Sequence, residues 1–383
     1  MRRILFWMHL GAGVVAGVLI LYFSVTGALL AYERPIVHAA GRRAYVADSV
    51  LPGAAPIPLD DLLARAAAAL PAPVDAVTIY QDVHAPVEIE TASHDVYFVD
   101  PHSGRVQGPV SPHLRAFFAE VTALHRWFGL SNAHHAAATA VKGAVVLLLL
   151  FQLASGAFLW LPHRWNSTAL RVGTVPRLSA RGRARNYNWH KVTGFWIGLP
   201  LAIVVVTGVI MAYPAANALL FRLARSPLPV RGGNGATRRR DVGKHALPVH
   251  LDQTFAEATS DVSGWRSATL RPMSGPPGLT FIVDRADGGH PDQREQVLID
   301  RKTLQVLRRE PFAAMSRGQR WRSWVRFTHT GEAGGWWGET LALLTACGAA
   351  ILSITGIALS LDRLRRWQSS ERRRERQMEH THV

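Results

Sequence analysis

The stretch LFWMHLGAGVVAGVLILYFSVTGALLAY, Leu5–Tyr32, decides the fold. Between Arg3 and Glu33 it has no Asp, Glu, Lys or Arg, and its one imidazole, His9, stands inside an apolar run. A helix of about 20 apolar residues crosses a hydrocarbon core of about 30 Å. The run therefore reads as a membrane span carrying a histidine where a bilayer normally excludes one. Gly13 and Gly17 fall on the histidine's own helical face, about one and two turns along. Small residues at that spacing either let helices approach closely or make room for a flat cofactor whose metal the imidazole ligates.

The pattern returns 181 residues later. His9, Gly13, Gly17, Val25-Thr26-Gly27 and Ala31-Tyr32 become His190, Gly194, Gly198, Val206-Thr207-Gly208 and Ala212-Tyr213. An internal repeat resets the reading of everything between its copies, and a second copy of the face favours the cofactor. Two further apolar runs, His135 to Leu161 and Trp337 to Leu361, join Leu5 to Tyr32 and Val192 to Tyr213 as spans. These two also correspond, Ser155-Gly156 with Thr355-Gly356 and Leu159 with Leu359, at an offset of 200. Met1-Arg2-Arg3 resembles the start of a signal peptide, but the apolar run is too long for one, so an uncleaved anchor is expected.

The chain has 383 residues, 48% hydrophobic, with a net charge of +16. Its single cysteine, Cys347, excludes internal disulfides, cysteine zinc sites, iron–sulfur clusters and covalent haem attachment. Arg164, Arg171, Arg177, Arg181, Arg183 and Arg185 follow the second run with no acid among them, and Arg363, Arg365, Arg366, Arg372, Arg373, Arg374 and Arg376 crowd the tail. The positive-inside bias puts that loop and both termini in the cytoplasm. The charge is thus a membrane-orientation signal, and no nucleic-acid partner is implied. Arg238-Arg239-Arg240 lies in a long outer loop, and loops of that length translocate largely regardless of charge.

Each outer segment reads as a helix followed by strands. In the first, a helix starts near Asp60-Asp61, and strands follow at Ala76 to Gln81, Val87 to Thr91 and Asp95 to Val99, with a turn at Asp100 to Gly104. In the second, Leu251-Asp252 opens a helix, and strands follow at Ser267 to Leu270, Leu279 to Val283 and Gln296 to Ile299. Pro227 to Gly243 is expected to be a linker. The expected fold is an internally duplicated four-helix transmembrane bundle with two α+β outer domains. Its parts are 1–32, 133–162, 190–213 and 336–361 as spans, 33–132 and 214–335 as outer domains, and 163–189 and 362–383 as cytoplasmic loop and tail.

The His…Thr-Gly helices, Leu124-His125-Arg126-Trp127-Phe128 and Thr328-His329-Thr330-Gly331 together resemble the PepSY-associated transmembrane family, and the outer domains resemble PepSY modules. Within that family the four-span layout is most similar to bacterial inner-membrane ferric-siderophore reductases. The resemblance implies two non-covalent haems b, a periplasmic ferric siderophore as substrate, and an electron donor from outside the chain.

Depth pairs the ligands. His9 and His190 enter their spans from the same side and are expected to hold an inner haem. For the outer haem His329 is expected with His134, and His135 or His125 are alternatives. Gly13, Gly17, Gly194 and Gly198 are expected to face the haems. Lys142, at membrane depth, is either a propionate partner or a lysine reaching the headgroups, and Glu339 admits the same two readings. Trp127, Phe128, Trp321, Trp324, Trp336 and Trp337 read as an interfacial aromatic belt. Gly11-Ala12-Gly13 with Gly17 lacks the strand and spacing of a dinucleotide fingerprint. Two other functions stay open: a haem-free, membrane-anchored binding or inhibitory module, and a di-haem reductase with another acceptor such as quinone.

Overall fold

The computed structural model describes residues 1–47, 55–162, 165–229, 250–271, 278–286 and 288–381. Arg164, Arg238-Arg239-Arg240 and most of the expected linker lie outside the described residues, as do the side chains of Arg372, Arg373, Arg374 and Arg376. Two compact units emerge, one of 1–32, 119–217 and 328–383, the other of 33–118 and 218–327.

The first unit is built on four helices long and apolar enough to cross a membrane. They are α1 (Arg2–Leu30), α5 (His135–Trp160), α7 (Gly182–Ala212) and α11 (Gly335–Thr381). The spans expected from composition are all present, with α7 and α11 reaching further into the basic segments than the apolar runs do. α1 packs against α5 and α11, and α7 packs against the same two, so α1 and α7 face each other across the bundle. Ala16, Ile20 and Val145 form one buried cluster, and Leu201, Val205 and Ala349 another. Outward-facing Val15 (73% exposed) and Leu199 (75%) present apolar surface that only a bilayer satisfies. Inside, Ser24, Thr26, Ser155, Thr207 and Thr355 are buried. Each hydroxyl donates to the carbonyl four residues back on its own helix, for example Ser155 Oγ to Phe151 O at 2.7 Å. Two helices not expected from the sequence, α4 (Pro112–Trp127) and α10 (Arg317–Thr330), end close to the starts of α5 and α11. α6 (Ser167–Thr174) lies in the basic loop.

The second unit is one eight-stranded antiparallel sheet in the order β4-β3-β2-β1-β5-β6-β7-β8. The strands are β1 (Val74–Tyr80), β2 (Val87–Thr91), β3 (Val96–Val99), β4 (Val106–Gln107), β5 (Ser267–Arg271), β6 (Gly278–Asp284), β7 (Arg294–Asp300) and β8 (Val306–Pro311). In β2, Val87, Ile89 and Thr91 are buried while Glu88 and Glu90 are only partly covered, as alternation predicts. The two outer segments do not fold separately: β1 pairs with β5 through Val77↔Leu270 and Thr78↔Thr269, and the threonine hydroxyls meet at 2.8 Å. α3 (Leu59–Ala69) and α9 (Leu251–Thr259) share one core with the sheet, including Leu62, Leu63, Phe255, Phe281 and Ile299. They cap each other reciprocally. Asp252 accepts from Leu59 N at 2.8 Å, and Asp60 from Leu251 N at 3.0 Å. α2 (Glu33–Ala44) and α8 (Pro214–Leu223) complete the described helices.

Candidate functional site

Four imidazoles enter the bundle, and each meets the same small device. His9 Nδ1 lies 2.8 Å from Ser155 Oγ, His190 Nδ1 3.0 Å from Thr355 Oγ1, His125 Nδ1 2.8 Å from Thr26 Oγ1, and His329 Nδ1 3.0 Å from Thr207 Oγ1. In every case the residue after the hydroxyl is glycine. A methyl group at Gly156, Gly356, Gly27 or Gly208 would come within 3.3, 3.4, 3.5 and 3.5 Å, respectively, of the facing imidazole Cε1. The dipeptide thus supplies a polar partner and a bare surface for the ring to lie on.

Proton counting assigns the tautomer. A hydroxyl has one proton, and each of these four directs it to its own helix carbonyl. That leaves its oxygen to accept from an imidazole Nδ1–H. At His329 the Val204 carbonyl, 3.0 Å from the same Nδ1, can only accept and requires the same proton. With Nδ1 protonated in a neutral ring, Nε2 holds a lone pair, which is the form that ligates a metal.

The histidines form two tiers. His9 on α1 and His190 on α7 face each other with ring centroids 6.4 Å apart and planes at 88°. Two imidazoles bound on opposite sides of one metal ion by bonds of about 2 Å would have ring centres about 6.3 Å apart. His125, in the last turn of α4, and His329, in the last turn of α10, form the second tier, seated on Thr26 of α1 and Thr207 of α7. Their seats, Thr26 and Thr207, lie about 25 Å along α1 and α7 from His9 and His190. Among the described residues no three His, Cys, Asp or Glu side chains converge. Each tier therefore offers two ligands, which suits an iron whose four in-plane positions a porphyrin fills.

The three expected partners of His329 occupy different places. His134 is exposed at the start of α5, its Nδ1 3.2 Å from Ser131 Oγ. His135 stacks on Trp127 with centroids 4.4 Å apart, and its Nε2–H donates to Leu130 O. The reason is α4, whose end is drawn onto α1: Tyr22 donates to Leu124 O at 3.0 Å, and Phe23 packs edge-on against His125. Phe128 and Gly129, both at positive φ, then turn the chain towards α5. A motif with one Ser/Thr-Gly per span and one histidine per motif was the available signal.

The glycines expected to face a cofactor divide. A side chain at Gly13 would meet Gln152 Nε2 at 2.9 Å and one at Gly17 would meet Ile357 at 3.2 Å, so both serve helix packing. Gly194 has Leu352 at 3.7 Å, and Gly198 faces open space. Lys142 donates to Arg126 O at 3.2 Å, at the end of the helix that carries His125. Glu339 is buried in the first turns of α11.

A family model described as the PepSY-associated TM region matches residues 6–378. No curated protein matches the chain.

Proposed function

This chain belongs to the PepSY-associated TM region family, and from that membership and its four seated imidazoles we propose that it is a di-haem membrane reductase. One haem b is held without covalent attachment by His9 and His190, the other by His125 and His329. The observation that carries the reading is the repeated seat, with each of the four Nδ1 atoms 2.8–3.0 Å from a Ser or Thr hydroxyl on a facing helix, an arrangement that leaves Nε2 for iron. Bound haem iron supplies one-electron exchange between Fe(III) and Fe(II) at two depths of a barrier of about 30 Å.

The chain's own residues do the rest. Ser155, Thr355, Thr26 and Thr207 orient the rings, and the glycines beside them leave space. The apolar helices exclude water. The basic loop and tail orient the chain in a bacterial inner membrane with both termini cytoplasmic. The two halves, each running span, outer segment, span, read as a duplication whose outer segments face the periplasm. There the substrate is a ferric siderophore: hydroxamate and catecholate oxygens are hard ligands that hold Fe(III) well and Fe(II) poorly. One electron delivered to that iron releases it, with no acid–base triad required. The donor is a separate cytoplasmic or membrane component.

The test is a visible spectrum of the purified chain, oxidised and dithionite-reduced. Two haems per chain are expected. His9→Ala and His190→Ala should each lose the same haem, and His125→Ala and His329→Ala the other, while His134→Ala keeps both. A colourless protein after growth with ample haem would leave a haem-free binding module. Faster reoxidation by quinone than by ferrioxamine-type complexes would replace the acceptor.

A further inference from the structure

The two tiers share one construction, yet Lys142 stands at the outer one. Its ammonium donates to the Arg126 carbonyl at 3.2 Å, the backbone oxygen next after His125 and one that the end of α4 leaves without a helical partner. That bond anchors the charge one residue along the backbone from His125. At the inner tier the nearest lysine in sequence, Lys191, follows His190, and its ammonium lies over the Trp160 ring, 5.8 Å from its centroid.

The two halves of the chain show that the lysine is no part of the seat itself. The offset of 200 that carries Ser155-Gly156 onto Thr355-Gly356 carries Lys142 onto Ala342. The second half nevertheless seats His329 on Thr207 at 3.0 Å. Other charges lie in the same region. Arg126 covers the Trp127 ring, Glu332 accepts from Thr330, and Glu339 is buried in α11. All of these are common to any pair of proteins differing only at position 142, so that comparison isolates one charge.

We propose that Lys142 raises the reduction potential of the outer haem site, and that its charge gives electron transfer through the bundle its outward direction. This deepens the di-haem reading and rests on it. A fixed positive charge favours the reduced iron, which carries one unit of positive charge less, and it does so more strongly away from bulk water. One electron leaves the inner site and enters the outer one, with no bond made or broken in the chain. A higher potential at the receiving site favours that direction.

The experiment is a potentiometric titration of the full chain in detergent, followed in the visible spectrum, for wild type, Lys142→Met and Lys142→Arg. Two one-electron waves are expected in wild type, the higher belonging to the haem that His125→Ala removes. In Lys142→Met the higher wave shifts down towards the lower one, which stays in place, and both haems remain bound. Lys142→Arg keeps both waves near their wild-type positions. Unmoved waves in Lys142→Met, or equal shifts of both, would overturn the proposal. So would loss of the outer haem in Lys142→Met, because the lysine would then hold the group instead of setting its potential. A wild-type protein without haem would instead end the parent reading.

Discussion

A hydroxyl on a neighbouring helix controls each imidazole, which makes a single oxygen atom the finest testable feature of this molecule. Ser155 Oγ fixes the His9 ring at 2.8 Å. Removing it leaves a buried Nδ1–H without an acceptor and frees the ring to rotate or change tautomer. Ser155→Ala is expected to weaken haem retention at the inner tier by about 10–100-fold, the usual effect of removing such a supporting bond. Ser155→Thr, which copies the Thr355 seat of the other half, should retain it. Haem remaining per chain after dialysis against apomyoglobin, read from the spectrum, checks both. Equal retention in wild type and Ser155→Ala would mean that the hydroxyl does not orient the ring. The repeat made His9 and His190 legible as a pair, because equal depth on two like helices is written in their numbering. The seat of His125 in the bundle was not legible in that way. His134 and His135 are nearer to the second span along the chain, whereas His125 reaches the bundle only because α4 folds down onto Tyr22 and Phe23.

Among the elements, period and length carried most of the reading. The long apolar runs became α1, α5, α7 and α11, and the alternating runs became strands within a residue or two of their expected ends. What stayed hidden was the union of the two outer segments. A β1–β5 pairing joins residues far apart in the chain, and nothing local in Val74–Tyr80 announces which edge it will meet. The contact that clasps the two segments is the exchange of caps between α3 and α9. Asp60 and Asp252 each accept from the first backbone N–H of the other helix. Both oxygens of each carboxylate lie near the amide, and the carboxylate charge complements the positive end of the helix. Asp60→Ala and Asp252→Ala should each destabilise the sheet unit by about 1–2 kcal/mol. Asp252→Asn, which keeps an acceptor, should cost less. Chemical denaturation followed by far-UV circular dichroism measures this, and alanine variants as stable as wild type would show that the caps contribute nothing.

For the whole molecule the question is orientation, and contacts along the bundle constrain it. Arg2 donates to Leu159 O and Leu161 O at one end of α1, while Tyr32 meets Thr340 at the other. α1 therefore runs antiparallel to α5 and α11. The start of α1, the end of α5 and the lower part of α11 come to one end, the end that holds His9, Ser155, His190 and Thr355. This is also the arginine-rich end, where 163–189 has no acid. The positive-inside bias predicts that this end faces the cytoplasm and that the chain between α1 and α5 lies outside. Two exposed positions separate the alternatives, His94 in the outer segment and Leu178 in the basic loop. In a Cys347→Ser background, His94→Cys should react with a membrane-impermeant maleimide in spheroplasts, and Leu178→Cys only after lysis. The reverse pattern would invert the topology and, with it, the side on which electrons enter. Labelling of both positions in intact spheroplasts would break the four-span arrangement itself, because the two sites flank the α5 span and should lie on opposite sides of the bilayer.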